Sequence, residues 1–305
     1  MQKKNRKQVF VGAATALITP FDFGGEVDYA AFGRLIERQR EAEVKTLVIN
    51  GTTAEACCLT REERDETLSF AVKNKGETVI VAGTGSNSTN TAIENTLRAA
   101  DVGADAALVV LPYYNNPGAD GVIRHFYSIA DASPIPIIAY DVPSRTGISL
   151  SPSVAAKLSE HPNVVGLKEA DCSIAKITAI KAACRKDFSL YSGSDSAITA
   201  LLAVGGTGAI TVTGNIFPRL TNEICDSFFR GDCNESARLQ LLLRPLIGEL
   251  FAFVSPSPIK ALMAHAGLIE NVLRLPLTAL NTSECERLFA LWNEIKGEEE
   301  KCARQ

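Results

Sequence analysis

The sequence predicts an α/β fold, a (β/α)8 TIM barrel with a C-terminal helical extension. Three observations point there. Short apolar, β-branched runs alternate with helical patterns eight times, none of these runs is followed by a complete dinucleotide fingerprint, and the strand pattern stops near residue 231. Strands are expected at Gly12–Ile18, Thr46–Asn50, Val79–Ala82, Ala107–Leu111, Ile135–Tyr140, Val164–Lys168, Ser189–Ser192 and Gly208–Val212. Most are continuously hydrophobic rather than alternating, as parallel strands buried on both faces require. Tyr29–Glu41, Arg61–Lys73 and Thr91–Val102 read as crossover helices, and Thr60 with Glu63 has the spacing of a capping box. A doubly wound dinucleotide-binding sheet would place G-x-G-x-x-G after its first strand, where this chain has Thr19-Pro20-Phe21-Asp22. Gly83-Thr84-Gly85 follows the third strand but lacks the third glycine. The expected organisation is a basic tail over residues 1–8, a barrel over 9–231 and a helical extension over 232–305, broken by Pro256, Pro258 and Pro276 and packed on the barrel or on a neighbouring subunit.

Composition narrows the function. Of 305 residues, 46% are hydrophobic and 22% charged, which excludes a disordered or fibrous chain. Four basic residues (Lys3, Lys4, Arg6, Lys7) sit in the first ten positions, and without them 27 basic residues face 35 acidic ones, a net charge of −8. Such an acidic body argues against nucleic acid as a partner, because binding phosphates takes clustered Lys and Arg. The uncharged stretch from Ser196 to Pro218 is too rich in Gly and Thr for a bilayer span and reads as a buried helix followed by a buried strand, so no membrane is expected. The eight cysteines contain no C-x-x-C pair or zinc spacing, which fits free thiols in a reducing, cytoplasmic compartment and no metal. His125, His161 and His265 stand apart and read as surface or satisfied residues.

Active sites of TIM barrels lie at the carboxyl ends of the strands, so the residues there carry the chemistry. The sixth strand ends in Lys168. Desolvation would favour its neutral amine, which attacks a carbonyl to form a Schiff base. The alternative is a structural lysine paired with Glu169 or Glu55. The fifth strand ends at Tyr140, a proton shuttle or a packed ring, and Arg145 follows, a fork suited to a carboxylate or a surface loop residue. After the second strand, Thr52 and Thr53 read either as a carboxylate cradle or as an ordinary helix cap. Tyr113 and Tyr114 stand at the exit of the fourth strand, and Gly193-Ser194 and Gly208-Ala209-Ile210 offer backbone groups to a small acid. Together this is the equipment for a Schiff-base lyase acting on a small keto acid, with no cofactor.

These residues also carry a resemblance. Gly51-Thr52-Thr53-Ala54-Glu55, Tyr140-Asp141-Val142-Pro143-Ser144-Arg145-Thr146-Gly147 and Gly166-Leu167-Lys168-Glu169-Ala170 resemble the pyruvate-dependent class I aldolases, the family of dihydrodipicolinate synthase and N-acetylneuraminate lyase. The likeness extends from Ala16-Leu17-Ile18-Thr19-Pro20 to Leu273-Arg274-Leu275-Pro276 and includes Ser255-Pro256-Ser257-Pro258-Ile259-Lys260. Ser144-Arg145-Thr146-Gly147 is closer to the synthase branch. The resemblance implies that Lys168 forms an imine with pyruvate, and that Tyr140, Thr52 and Tyr114 relay protons, with Tyr114 reaching a neighbouring subunit's site. It further implies that Thr53 and the Ile210 backbone hold the pyruvate carboxylate, and that Arg145 binds aspartate semialdehyde beside Gly193. A homotetramer built as a dimer of dimers is the implied assembly. Ala54 stands where the family usually has glycine, and Asp141 where it usually has asparagine.

Members inhibited by lysine bind it near the residues after Gly-Thr-Thr, and tend to have a carboxylate where Thr91 stands and histidine where Arg61 stands. Here Thr91 offers a hydroxyl and Arg61 a fixed positive charge, which repels an ammonium by roughly 1–4 kcal/mol at about 4 Å. Glu94, one turn beyond Thr91, is the one residue placed to compensate. Turnover is therefore expected to be insensitive or weakly sensitive to lysine. Titration of lysine into the millimolar range checks this, and strong saturable inhibition would contradict it.

Overall fold

The structure, a computed structural model, describes residues 8–302. The basic tail expected over residues 1–8 lies outside them except for Gln8. Eight parallel strands close into a barrel in chain order: β1 (Gly12–Ala16), β2 (Thr46–Ile49), β3 (Val79–Gly83), β4 (Ala106–Val110), β5 (Ile137–Asp141), β6 (Val164–Glu169), β7 (Ser189–Ser192) and β8 (Gly208–Thr211). The helices around it are α1 (Tyr29–Glu41), α2 (Arg61–Asn74), α3 (Thr89–Val102), α4 (Ala119–Ala132), α5 (Pro143–Thr146), α6 (Pro152–Glu160), α7 (Ile174–Ala183), α8 (Ile198–Ala203) and α9 (Pro218–Phe229). The expected TIM barrel is the observed fold. Ser196–Pro218 is the buried α8 and β8 with their turns, as its composition suggests.

Two strand ends differ from expectation by two residues, for identifiable reasons, and several others by one. The first strand leaves its ladder after Ala16, because the Ile18 N–H is taken by the Asn215 side chain at 3.1 Å. The fifth strand starts at Ile137 rather than Ile135, since Pro136 between them has no N–H to donate. The capping box at the head of α2 is present. Glu63 N–H donates to Thr60 Oγ1 at 3.2 Å and Thr60 N–H to Glu63 Oε2 at 2.8 Å.

The core has two layers. Inside the barrel, Ala14, Ala16, Val48, Val81, Leu108, Ile138 and Ile210 pack around Tyr140 and Tyr191. The Tyr191 ring stacks on Phe10 at 4.2 Å and its hydroxyl donates to the Phe10 carbonyl, closing the amino end. Between barrel and helices, leucines, isoleucines and phenylalanines such as Phe32, Leu35, Phe126 and Leu167 are fully buried. Each contributes about 1.5–3 kcal/mol relative to exposure. At the carboxyl ends the strands approach closely: a Cβ on Gly83 would stand 2.1 Å from the Asn50 carbonyl oxygen, so only glycine fits there.

The extension consists of α10 (Cys233–Leu250), α11 (Ser257–His265) and α12 (Thr282–Cys302). Its Leu239, Leu243, Leu246, Leu262 and Leu288 join the outer core, so it packs on the barrel of its own chain. It also reaches the barrel mouth. Lys260 of α11, fully buried, donates to Glu55 Oε1 at 2.5 Å and to the Val272 carbonyl at 2.9 Å. Arg274 binds Glu63 through both outer nitrogens, at 2.7 and 2.5 Å, and its N–H donates to Glu55 Oε2 at 3.0 Å. Both cations face the Phe21 ring, at 4.1 and 4.5 Å from its centroid. Burial pulls Lys260 down to about 8, against the opposing pull of Glu55.

Lys260→Met would leave the Glu55 carboxylate buried without its cation, which costs about 3–5 kcal/mol. Urea unfolding at neutral pH measures this. The double variant with Glu55→Gln is expected to recover most of the loss, and a loss below about 1 kcal/mol for Lys260→Met alone would contradict the role given to the pair.

Candidate active site

The geometry of the mouth depends on one irregularity. Between β5 and β6 the register passes from Ile137↔Val164 to Ile138↔Gly166, so β6 carries an extra residue. From there Tyr140 pairs with Lys168 and Asp141 with Glu169. In an unbroken register Lys168 would oppose Asp141 and face the helices, because a one-residue slip reverses every side chain. The bulge turns Lys168 inward beside Tyr140.

Lys168 is 6% exposed, and its Nζ lies 4.2 Å from the centroid of the Tyr140 ring. Its two sequence-level alternative partners are engaged elsewhere. Glu55 holds Lys260, and Glu169 lies 3.0 Å from Lys176 Nζ. Among the described residues Lys168 has no ion pair or hydrogen bond, which leaves its nitrogen available to a ligand.

Above Tyr140 lies a cavity of about 340 Å³, walled by Thr52, Ala56, Cys57, Cys58, Tyr113, Val142, Arg145 and Thr146 together with Ser255, Pro276 and Leu277 from the extension. Arg145 stands on the one-turn α5, where Pro143 starts the helix and Gly147 at φ 74° ends it. Its Nη2 donates to the Ser255 carbonyl at 2.8 Å, which leaves the other donors of the fork open. Thr52–Ala54 forms a 3₁₀ turn at the end of β2. Its Thr52 and Thr53 N–H groups have no acceptor among the described residues, as an anion cradle needs. Thr52 is exposed on the cavity wall and Thr53 is buried behind it. Ala54 is accommodated: it is buried and the left-handed residue of this loop is Glu55, at φ 54°.

Other expected site residues stand differently. Ile210 is 1% exposed in β8, in the inner core with Tyr140 and behind the cavity wall. The Gly193 N–H is not free, because it donates to the Glu169 carbonyl at 2.7 Å, so only its carbonyl remains for a ligand. A Cβ there would come within 3.0 Å of Ala170. Tyr114 is 94% exposed, at φ 72°, and does not reach the cavity of its own chain, where Tyr113 forms the wall instead. The turn at Tyr114 directs that ring away from its own barrel.

The loop after β8 is anchored by Asp195, whose carboxylate accepts from the N–H groups of Val212 and Thr213 and from the Thr213 hydroxyl, at 2.6–3.0 Å. Burial pushes its carboxyl up, and the Lys168 charge acts in the other direction. The histidines take no part. His125 is buried and pulled down to about 4, with Nδ1 2.9 Å from Thr89. His161 pairs with Asp131 and His265 stacks on Phe289. Sequence reasoning did not place Cys57 and Cys58 on this cavity and missed the Lys260–Glu55–Arg274 clamp. The Ser-Pro-Ser-Pro block before Lys260 was the available signal for the clamp. A second cavity of about 230 Å³ is lined by Arg61, Arg64, Thr91 and Glu94, which brings together the residues weighed above for lysine.

Comparisons with known proteins agree with this geometry. The model of the dihydrodipicolinate synthetase family matches residues 9–295. A 4-hydroxy-tetrahydrodipicolinate synthase of Alkaliphilus oremlandii is 42% identical over 92% of this chain and 97% of its own length. One from an Exiguobacterium species is 42% identical over 94% of this chain and all of its own. Among solved structures, the 4-hydroxy-tetrahydrodipicolinate synthase of Methylacidiphilum fumariolicum superposes with a TM-score of 0.93 at 36% identity, covering 97% of this chain and 99% of that one. The dihydrodipicolinate synthase of Aquifex aeolicus gives 0.91 at 37% identity, covering 94% and 98%. With an inward lysine beside a tyrosine at the mouth of a closed barrel, and a family match over nearly its whole length, this chain belongs to the dihydrodipicolinate synthetase family.

Proposed function

We propose that this chain is a 4-hydroxy-tetrahydrodipicolinate synthase, a Schiff-base-forming lyase that condenses pyruvate with aspartate semialdehyde in diaminopimelate and lysine biosynthesis. The observation that carries this reading is the unpaired Lys168 amine beside Tyr140, below a cavity whose rim holds Arg145. The amine adds to the pyruvate carbonyl, and loss of water gives the imine. Removal of a methyl proton gives an enamine, whose carbon attacks the aldehyde. Tyr140 and the Thr52 hydroxyl move the protons, since each both donates and accepts. The free N–H groups of Thr52 and Thr53 suit the pyruvate carboxylate, with the Ile210 backbone behind them, and the open fork of Arg145 suits the carboxylate of the semialdehyde. The Gly193 carbonyl can accept from the substrate.

The assembly we propose is a homotetramer, a dimer of dimers. The exposure of Tyr114 supports it, because that ring can complete a neighbour's proton relay only from outside its own barrel. No described helix is long and apolar enough to cross a membrane. We place the enzyme in the cytoplasm, where its small acids are made and used.

Two experiments test the reading. Borohydride added with pyruvate is expected to trap an adduct on Lys168. Lys168→Arg should abolish both adduct and turnover, whereas Tyr140→Phe should keep the fold and lower turnover by about 10²–10⁴-fold. Label on another lysine overturns the assignment. Arg145→Ala should impair use of aspartate semialdehyde by about 10–100-fold, the worth of a charge-assisted bond of about 1.5–3 kcal/mol, while pyruvate trapping persists. Equal loss of both, or preferred turnover of N-acetylmannosamine with pyruvate, would point to a sugar-acid aldolase instead.

A further inference from the structure

The strand phase that turns Tyr140 and Lys168 inward turns their successors, Asp141 and Glu169, outward beneath α7. Both carboxylates are wholly buried and both lie on one ammonium. Lys176 Nζ is 2.8 Å from Asp141 Oδ2 and 3.0 Å from Glu169 Oε2. The Leu150 N–H donates to Asp141 Oδ2 at 2.8 Å, the Asp171 N–H to Glu169 Oε1 at 2.7 Å, and Lys176 to the Ser149 hydroxyl at 2.9 Å. The Asp171 carboxylate, 40% exposed, lies 3.7 Å from the same ammonium. No further charged side chain comes within ion-pair distance of the three among the described residues. Asp141 Oδ1 is left without a partner, and Glu169 Oε2 has only the Lys176 ammonium, at 3.0 Å and out of hydrogen-bond alignment.

Two buried anions on one cation, with one oxygen orphaned, are a costly arrangement. One added proton leaves the two buried carboxylates and Lys176 without net charge and offers a donor to Asp141 Oδ1. Carboxylates held side by side do not both ionise readily.

We propose that Glu169 keeps a proton and shares it with Asp141 as a hydrogen bond, and that this proton together with Lys176 holds the carboxyl ends of β5 and β6 in the register that presents Tyr140 and Lys168. Both acids are positioning residues, since neither lines the cavity. Burial, and then the charge of Asp141, pushes Glu169 from 4.5 up to about 7, which puts release of the proton at the upper edge of neutrality.

The sign of the pH dependence follows. Between about pH 4.5 and 7 the folded chain binds this proton and the unfolded chain does not, so stability falls as pH rises through that window and stays low above it. Asp141→Asn removes the like charge and the shared proton. Its melting temperature should fall less between about pH 5 and 7 than that of the wild type. The infrared difference between wild type and variant at pH 6 should contain the carbonyl stretch of a protonated carboxyl. A difference is needed because burial also raises Asp195, Asp226 and Glu299. Glu169→Gln serves the same purpose if Asp141→Asn does not fold. Lys176→Met adds a functional readout: kcat should fall about tenfold at pH 8 and recover towards wild type at pH 6, where protons replace the missing cation. A lysine that merely braces α7 would give equal losses at both pH values, and that result overturns the proposal. A difference spectrum without the protonated band, or an unchanged melting slope, also overturns it. The infrared and melting readouts need no turnover, so they stand apart from the assignment of the reaction.

Discussion

Alternation of side chains along β6 is the constraint on which the catalytic mouth depends. A parallel barrel has one inner and one outer face, and each residue faces one or the other. The extra residue between Val164 and Gly166 sets the phase of everything after it. With that phase, Lys168 meets Tyr140 inside and Glu169 meets Asp141 outside. One local bulge thus separates Lys168 from Asp141, which it would otherwise oppose, while alternation keeps Glu169 on the other face in either register. A free amine could not survive next to either carboxylate, and the barrel wall keeps them apart.

The second organising feature is the return of the extension to the mouth. Helices after the eighth βα unit could end anywhere on the outer layer, yet α11 and the segment after it contribute Lys260, Arg274, Pro276 and Leu277 to the region around the site. Glu55 is buried because Lys260 and the Arg274 backbone satisfy it, and the loop bearing Thr52 and Thr53 is held by that attachment. Arg145 is held likewise by the Ser255 carbonyl. The Thr52–Thr53 loop and Arg145 are therefore both placed by residues more than one hundred positions later. The extension is part of the site, not an appendage to it.

The outer acids illustrate how a barrel strand can serve two environments at once. Tyr140 lines the cavity and Lys168 lies beside its ring, while the next residue on each strand sees α7 and the Lys176 ammonium. Backbone bonds continue the same connection: the Asp141 carbonyl accepts from Ala170 N–H, and the Glu169 carbonyl from Gly193 N–H. Three strand ends are thereby linked through the residues immediately following Tyr140 and Lys168. The Gly193 N–H is consumed in that linkage.

The sequence by itself determined the architecture and the chemical cast. Continuous apolar runs of strand length have few solutions other than a parallel sheet covered on both faces, and eight of them without a nucleotide fingerprint close into a barrel. The spacing around Thr52, Tyr140, Arg145 and Lys168 was enough to name the chemistry, because these residues lie at strand exits and carry local motifs. Tertiary structure decided what depends on contacts between distant segments. The register of β6 against β5 turns on a bulge with no local signature. Glu55 finds Lys260 across two hundred residues, and Lys176 gathers Asp141 and Glu169 from two strands. Tyr114 points out of its own barrel for a reason of backbone geometry that no periodicity records. Local pattern is written in neighbouring residues and can be read there. Pairing of buried charges and the phase of a strand are settled only when the barrel closes.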